Sequence, residues 1–119
     1  MTTALITNKE AKKKIDQGED ILLIDARPEE VYTGGSDQIL GAIHLTEETA
    51  REMYTDMPKD KEYLIYSTKG EDEISLKFAE FLREKGFDAY AIEGGYENWR
   101  DSGLPIEPIK AKGTPFLGM

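Results

Sequence analysis

Apolar and polar positions along this chain fall into short alternating blocks. Five apolar runs are too short for helices and rich in β-formers: Thr3-Ala4-Leu5-Ile6, Ile21-Leu22-Leu23-Ile24, Gly41-Ala42-Ile43-His44-Leu45, Tyr63-Leu64-Ile65-Tyr66 and Ala89-Tyr90-Ala91-Ile92. They predict five strands. The unbroken run at residues 21–24 is the pattern of a strand covered on both faces, and hence of a parallel sheet. Between the runs the period changes. Ile74, Phe78, Phe81 and Leu82 recur at i, i+4, i+7 and i+8, one face of an amphipathic helix, and Ala11 and Ile15 predict an inward face on an earlier one.

Local signals bound these helices. Thr7 and Glu10 have the spacing of a capping box, with Ile6 and Ala11 in hydrophobic-staple positions and Gly18 as the stop after Gln17. Pro28 suits the first position of a short helix, and Glu29 and Glu30 favour its positive end. Residues 34–37 read as a loop. Thr46 caps a helix from Glu47 to about Tyr54, ended by Pro58, and Gly86 ends the helix that carries Phe78. Gly94-Gly95 turns into a last helix from Tyr96 to Asp101, closed by Gly103 and Pro105, in which Tyr96 and Trp99 are core residues. Strands alternating with helices predict an α/β fold: a mainly parallel central sheet of about five strands with helices on both faces.

At 119 residues the chain has the length of one domain. Residues 1–107 form its body and 108–119 read as an extended C-terminal tail, whose Phe116, Leu117 and Met119 could pack on the body or on a second subunit. The oligomeric state is left open. No run reaches the roughly 18 to 20 apolar residues a membrane helix needs, and the N-terminus lacks a long apolar stretch. The expectation is therefore a cytoplasmic protein without a membrane partner. A net charge of −9 argues against nucleic acid as a main partner, and Lys12-Lys13-Lys14 read as a solvated helix face. The chain has no cysteine, which excludes disulfides, thiolate metal sites and a thiol nucleophile of its own.

Two segments carry a family resemblance. LLIDARPEEVYTGGSDQILGAIHL, residues 22–45, resembles the first signature of rhodanese-like domains: an apolar strand, Asp-x-Arg, a short acidic helix and a Gly-Ala turn. EGGYENWRDSGLPIE, residues 93–107, resembles their closing signature, with paired glycines, a tryptophan and Gly-Leu-Pro. The resemblance covers roughly residues 3–107. It implies the three-layer rhodanese fold and an active-site loop at residues 67–75, between the strand ending at Tyr66 and the helix carrying Phe78. In active members that loop opens with a cysteine that takes sulfane sulfur as a persulfide, and backbone amides with a basic residue hold the anion.

Here Ser67 stands at the cysteine position, and Gly70 keeps the loop's glycine. The expected basic position falls on Asp72 counting forward and on Ile74 counting back from Gly86. Gln38 and Leu40 stand where the family often has histidine and proline.

A serine hydroxyl cannot relay sulfur as a thiolate does, and an active serine needs a base within hydrogen-bond reach. The single histidine, His44, lies at a strand end, where its role is structural. Ser67, Thr68 and Lys69 open the loop; Glu71, Asp72 and Glu73 keep the Lys69 charge on and repel phosphate, arsenate or thiosulfate, before Ile74 and Ser75 enter the helix. Near a helix N-terminus those carboxylates can satisfy free amides themselves, so the loop fills its own anion site. Adjacent carboxylates seldom converge on one cation, so no metal or other cofactor is expected. Asp25 and Arg27 read as a structural pair supporting the loop.

The expectation is a rhodanese-like protein without thiosulfate sulfurtransferase activity, a binding or regulatory module whose acidic loop-bearing face meets a basic protein or macromolecule. The alternative is a divergent sulfurtransferase-like or phosphatase-like enzyme using Ser67 or a thiol supplied in trans.

Overall fold

The computed structural model describes residues 4–18 and 20–109. In chain order the elements are β1 (Leu5–Ile6), α1 (Asn8–Asp16), β2 (Ile21–Asp25), α2 (Glu29–Gly34), β3 (Asp37–Ile39), β4 (Ile43–His44), α3 (Glu47–Met53), a 3-10 turn (Tyr54–Asp56), β5 (Glu62–Tyr66), α4 (Asp72–Glu84), β6 (Asp88–Ile92), α5 (Gly95–Asp101) and β7 (Ile106–Pro108). Among the described residues the central sheet has five strands in the order β1-β6-β5-β2-β4, every pair parallel. The five apolar runs supply these strands.

Two apolar layers sandwich the sheet. Ala50 of α3 and Phe78, Ala79, Phe81 and Leu82 of α4 pack with Ile24, Tyr63 and Ile65 on one face. Ala11 of α1 and Tyr96 and Trp99 of α5 pack with Leu23, Leu64 and Ile92 on the other. Alternate residues of β5 therefore enter opposite layers, as the two-residue period of a strand requires.

The caps form as their residue types dictate. The Thr7 hydroxyl accepts from the Glu10 amide at 3.1 Å while the Glu10 carboxylate accepts from the Thr7 amide at 3.0 Å. Thr46 accepts from the Thr49 amide at 3.3 Å. At the end of α4, Gly86 takes a φ of +91°, and the Phe87 amide reaches back to the Leu82 carbonyl at 3.0 Å. That is the Schellman closure, which a Cβ at Gly86 would strain.

Three expectations need correction. Residues 34–37 do not end in a plain loop: Asp37–Ile39 forms β3, antiparallel to β7 in a separate ribbon. Its sequence has no strand periodicity, and the pairing joins residues about seventy positions apart, with Gln38 donating to Glu107 at 2.9 Å. The second correction is Ile15, which is 36% exposed rather than inward. α1 is anchored by Ala11 and by Lys14, whose ammonium pairs with Glu62 at 3.1 Å and lies 5.0 Å from the Tyr90 ring, so Lys14 is not part of a purely solvated face. Third, α4 begins at Asp72, two residues before Ile74. The ribbon carries ordered backbone through Pro108, and the Ile109 amide donates to the Ser36 carbonyl at 2.9 Å. Thr3 and the remainder of the tail, residues 110–119, lie outside the described residues.

Candidate functional site

In a parallel sheet the strands all deliver their loops to one end, where the following helices start. β5 and β2 are in register from Ile21↔Glu62 to Asp25↔Tyr66, so Asp25 and Tyr66 finish side by side at that end. His44 of β4 pairs with Asp25 on the far side, two strands from β5.

Beneath the loop lies a buried polar network. Arg27 is held by Asp25 through Nε at 3.0 Å and Nη2 at 2.7 Å, and its Nη2 also donates to the Asp37 carbonyl at 2.9 Å. Both side chains are almost wholly buried. The guanidinium lies 4.5 Å from the Tyr96 ring centre, 5.7 Å from Tyr32 and 5.9 Å from Tyr66. Burial alone would lower the Arg27 pKa; the hydrogen bond and charge of Asp25 outweigh it and raise it. Tyr66 donates its hydroxyl proton to Asp25 at 2.6 Å and accepts from the Ile39 amide at 3.1 Å. Burial first, and then the Asp25 charge, pushes its pKa far above the ordinary phenol range. These links tie β2 to β3 and to the residue before Ser67. Asp25 and Arg27 thus contact Tyr66, which precedes the loop, and Tyr96, whose amide bonds to the Ser67 carbonyl.

His44 belongs to this scaffold. Its Nε2 lies 2.7 Å from the Arg27 carbonyl, an acceptor, so Nε2 is the donor. Its ring stacks on Tyr32 at 3.9 Å.

Ser67 is fully buried, and its Oγ makes no hydrogen bond; the Thr68 hydroxyl is likewise buried and unpartnered. The Ser67 carbonyl accepts from the Tyr96 amide at 2.8 Å, and the Thr68 carbonyl accepts from the Glu71 amide at 3.0 Å. Lys69 is exposed, and its amide donates to the Glu97 carboxylate at 2.8 Å. Gly70 takes a φ of +83° at an open loop tip. Asp72 accepts from the Gly94 amide at 3.1 and 3.2 Å. Ser75 is buried and donates to the Asp72 carbonyl at 3.1 Å, while Ile74 joins the apolar layer under α4.

α5 lies hard against this loop because of one glycine. A Cβ at Gly95 would fall 2.6 Å from the Ser67 carbonyl oxygen and 2.8 Å from the Lys69 nitrogen. That approach makes the Tyr96–Ser67 and Glu97–Lys69 bonds geometrically available.

The structure therefore divides the acidic cluster. Asp72 satisfies an amide outside the loop, on the glycine turn. The carboxylate on a loop amide comes from Glu97 of α5, which reasoning from the loop's own residues did not reach. Glu73 is exposed and Glu71 partly so. Among the described residues, no three His, Cys, Asp or Glu side chains converge so as to hold a metal ion. No helix among them is long and apolar enough to cross a membrane.

Residues 7–102 match the family described as Rhodanese-like domain. The chain is 34% identical over 92 residues to thiosulfate sulfurtransferase GlpE of Actinobacillus succinogenes, covering 76% of this chain and 79% of that protein. It is 40% identical over 81 residues to the tRNA sulfurtransferase of Desulfurococcus amylolyticus, covering 68% of this chain but spanning only 15% of that longer protein. A crystal structure of a rhodanese-like domain protein from Staphylococcus aureus superimposes with a TM-score of 0.71 at 29% identity, covering 92% of this chain and all of that one.

Proposed function

This chain belongs to the rhodanese-like domain family, and from that premise we propose that it is a non-catalytic member, a binding or regulatory module rather than a sulfurtransferase. One observation carries the reading. The residue that leaves β5 is Ser67, in a chain without cysteine, and its hydroxyl is buried with no base bonded to it. A hydroxyl in that state stays protonated and carries no sulfane sulfur. His44 lies two strands from β5 and donates to the Arg27 carbonyl, which weighs against the alternative of a serine-based enzyme.

The partner suggested by the charge pattern is a basic segment of a protein or other macromolecule. Each helix begins at the loop end of the sheet, and each carries acid in its first turn: Glu10, Glu29 and Glu30, Glu47 and Glu48, Asp72 and Glu73, and Glu97. Part of this pattern complements helix dipoles. Together the carboxylates outnumber the exposed Lys9 and Lys69 at the same end, and this negative excess draws a cationic surface and repels anionic substrates.

Thiosulfate:cyanide turnover of the wild-type chain, beside Ser67→Ala, tests the reading. The expected result is the protein-free rate for both. Turnover by the wild type that Ser67→Ala abolishes would overturn it.

A further inference from the structure

We propose that Glu62 and Asp88 form a proton-operated contact at the foot of the sheet, joined while they share one proton and opposed once it leaves. Glu62 opens β5 and Asp88 opens β6, so the pair lies at the end opposite the loop that follows Tyr66. The parallel register sets Glu62 beside Asp88. Leu64 and Ile92, which share their faces of the two strands, lie in the layer under α1, so both carboxyl groups project to that side. They are within hydrogen-bonding reach of each other.

Their surroundings differ. The Glu62 side chain is 12% exposed, whereas Asp88 is exposed. Lys14 of α1 donates to Glu62 Oε2 at 3.1 Å, and Oε1 is buried without a partner. Two carboxylates offer only acceptors, so no hydrogen bond joins them while both are ionised. A proton on Glu62 removes the conflict: the carboxyl becomes a donor, and Asp88 supplies the acceptor. Burial decides which group takes the proton, since water solvates the Asp88 charge better than that of Glu62.

The other groups facing the pair come from four directions. Lys14 approaches from α1 and Tyr90 from β6, the Tyr90 ring lying 5.0 Å from the Lys14 ammonium and 4.7 Å from the Arg83 guanidinium of α4. Asp20, Lys59, Asp60 and Lys61, from the segments ahead of β2 and β5, line an open groove of about 320 Å³ together with the pair. Lys61 is paired with Asp20 at 2.8 Å. The groove gives the proton a route to water. Burial pushes the Glu62 pKa up; the Lys14 hydrogen bond and charge pull against it, and the charge and hydrogen bond of Asp88 push the same way as burial. As pH rises the proton passes to water, the β5–β6 contact is lost, and Lys14 holds the Glu62 charge.

The contact is remote from Ser67, so the proposal stands or falls apart from the non-catalytic reading. The test follows the Glu62 side-chain carboxyl 13C shift of the full chain through a pH titration, in the wild type and in Asp88→Asn. The expected wild-type midpoint lies above the ordinary glutamate value, and that of Asp88→Asn lies lower than the wild type's, because the opposing charge is gone and an amide can donate to ionised Glu62. Thermal melts give a second readout. A raised folded-state pKa stabilises the fold below the ordinary glutamate value, and that contribution is lost as pH rises through the folded one. The wild-type Tm should therefore fall relative to that of Glu62→Gln between about pH 4.5 and about pH 7.5. A Glu62 midpoint that Asp88→Asn leaves in place, or a Tm difference that does not change with pH, would overturn the proposal.

Discussion

Replacing Gly95 by alanine tests how the loop and α5 are joined. The new Cβ would meet backbone, not a yielding side chain: 2.6 Å from the Ser67 carbonyl oxygen, 2.7 Å from the Thr68 carbonyl carbon and 2.8 Å from the Lys69 nitrogen. These separations lie far inside van der Waals contact, and Gly95 also has a φ of +68°. The strained backbone conformation alone costs about 1 kcal/mol. Overpacking against main chain adds roughly 1–3 kcal/mol. The sum, about 3 kcal/mol, corresponds to a Tm lower by roughly 10 °C in a domain of this size. Gly70→Ala is the control, since Gly70 has a φ of +83° and nothing within 4 Å of its Cβ position. It should lower the Tm by only about 4 °C. Urea denaturation and thermal melts of both variants measure the difference, and amide shifts at Lys69 report whether the Glu97 bond survives. Equal losses in the two variants would refute the claim that close approach of α5 shapes the loop.

Two further outcomes follow from the buried polar groups. Asp25→Asn leaves the Arg27 charge buried without its counter-ion, and should cost about 3–5 kcal/mol in urea denaturation; a loss under about 1 kcal/mol would show that water reaches the pair. Burial pushes the Tyr63 pKa up to about 12, with the Asp60 charge adding to the shift. A raised folded-state pKa stabilises the fold below the ordinary phenol value near 10, and that contribution is lost as pH rises from there through the folded value. The wild-type Tm should therefore fall between pH 9.5 and 11.5, and Tyr63→Phe, which loses only the hydroxyl bond to the Pro58 carbonyl, should fall less steeply.

Most of the layered fold could be read from local chemistry. The central strands are apolar runs, and Thr7, Thr46 and Gly86 mark helix ends because each solves a backbone problem within a few residues of itself. The position of the loop was legible for the same reason, as a polar interruption between a strand and an amphipathic helix. What escaped depends on distance along the chain. β3 exists because Gln38 and Ile39 meet Glu107 and Ile106, and neither short polar segment has strand character alone. Tyr66 looked like an ordinary apolar strand residue, although its hydroxyl links Asp25 to the Ile39 amide. By sequence position, Glu71, Asp72 and Glu73 are the carboxylates expected on a loop amide. Glu97 takes that place because Gly95 brings a different helix into contact. The double glycine held that signal: paired small residues ahead of a helix imply a close approach, and the first acidic residue after them is the one that arrives.

Whether this loop is closed to sulfur-donor anions, and does not merely lack a thiol, is decided by thiosulfate:cyanide turnover of Ser67→Cys. Ser67→Cys should fold and its rate should stay at the protein-free background, because Glu97 still holds the Lys69 amide and Glu71, Asp72 and Glu73 still flank the loop. Sustained turnover by Ser67→Cys would contradict that closure, and would mean that a working anion site lies beneath the serine.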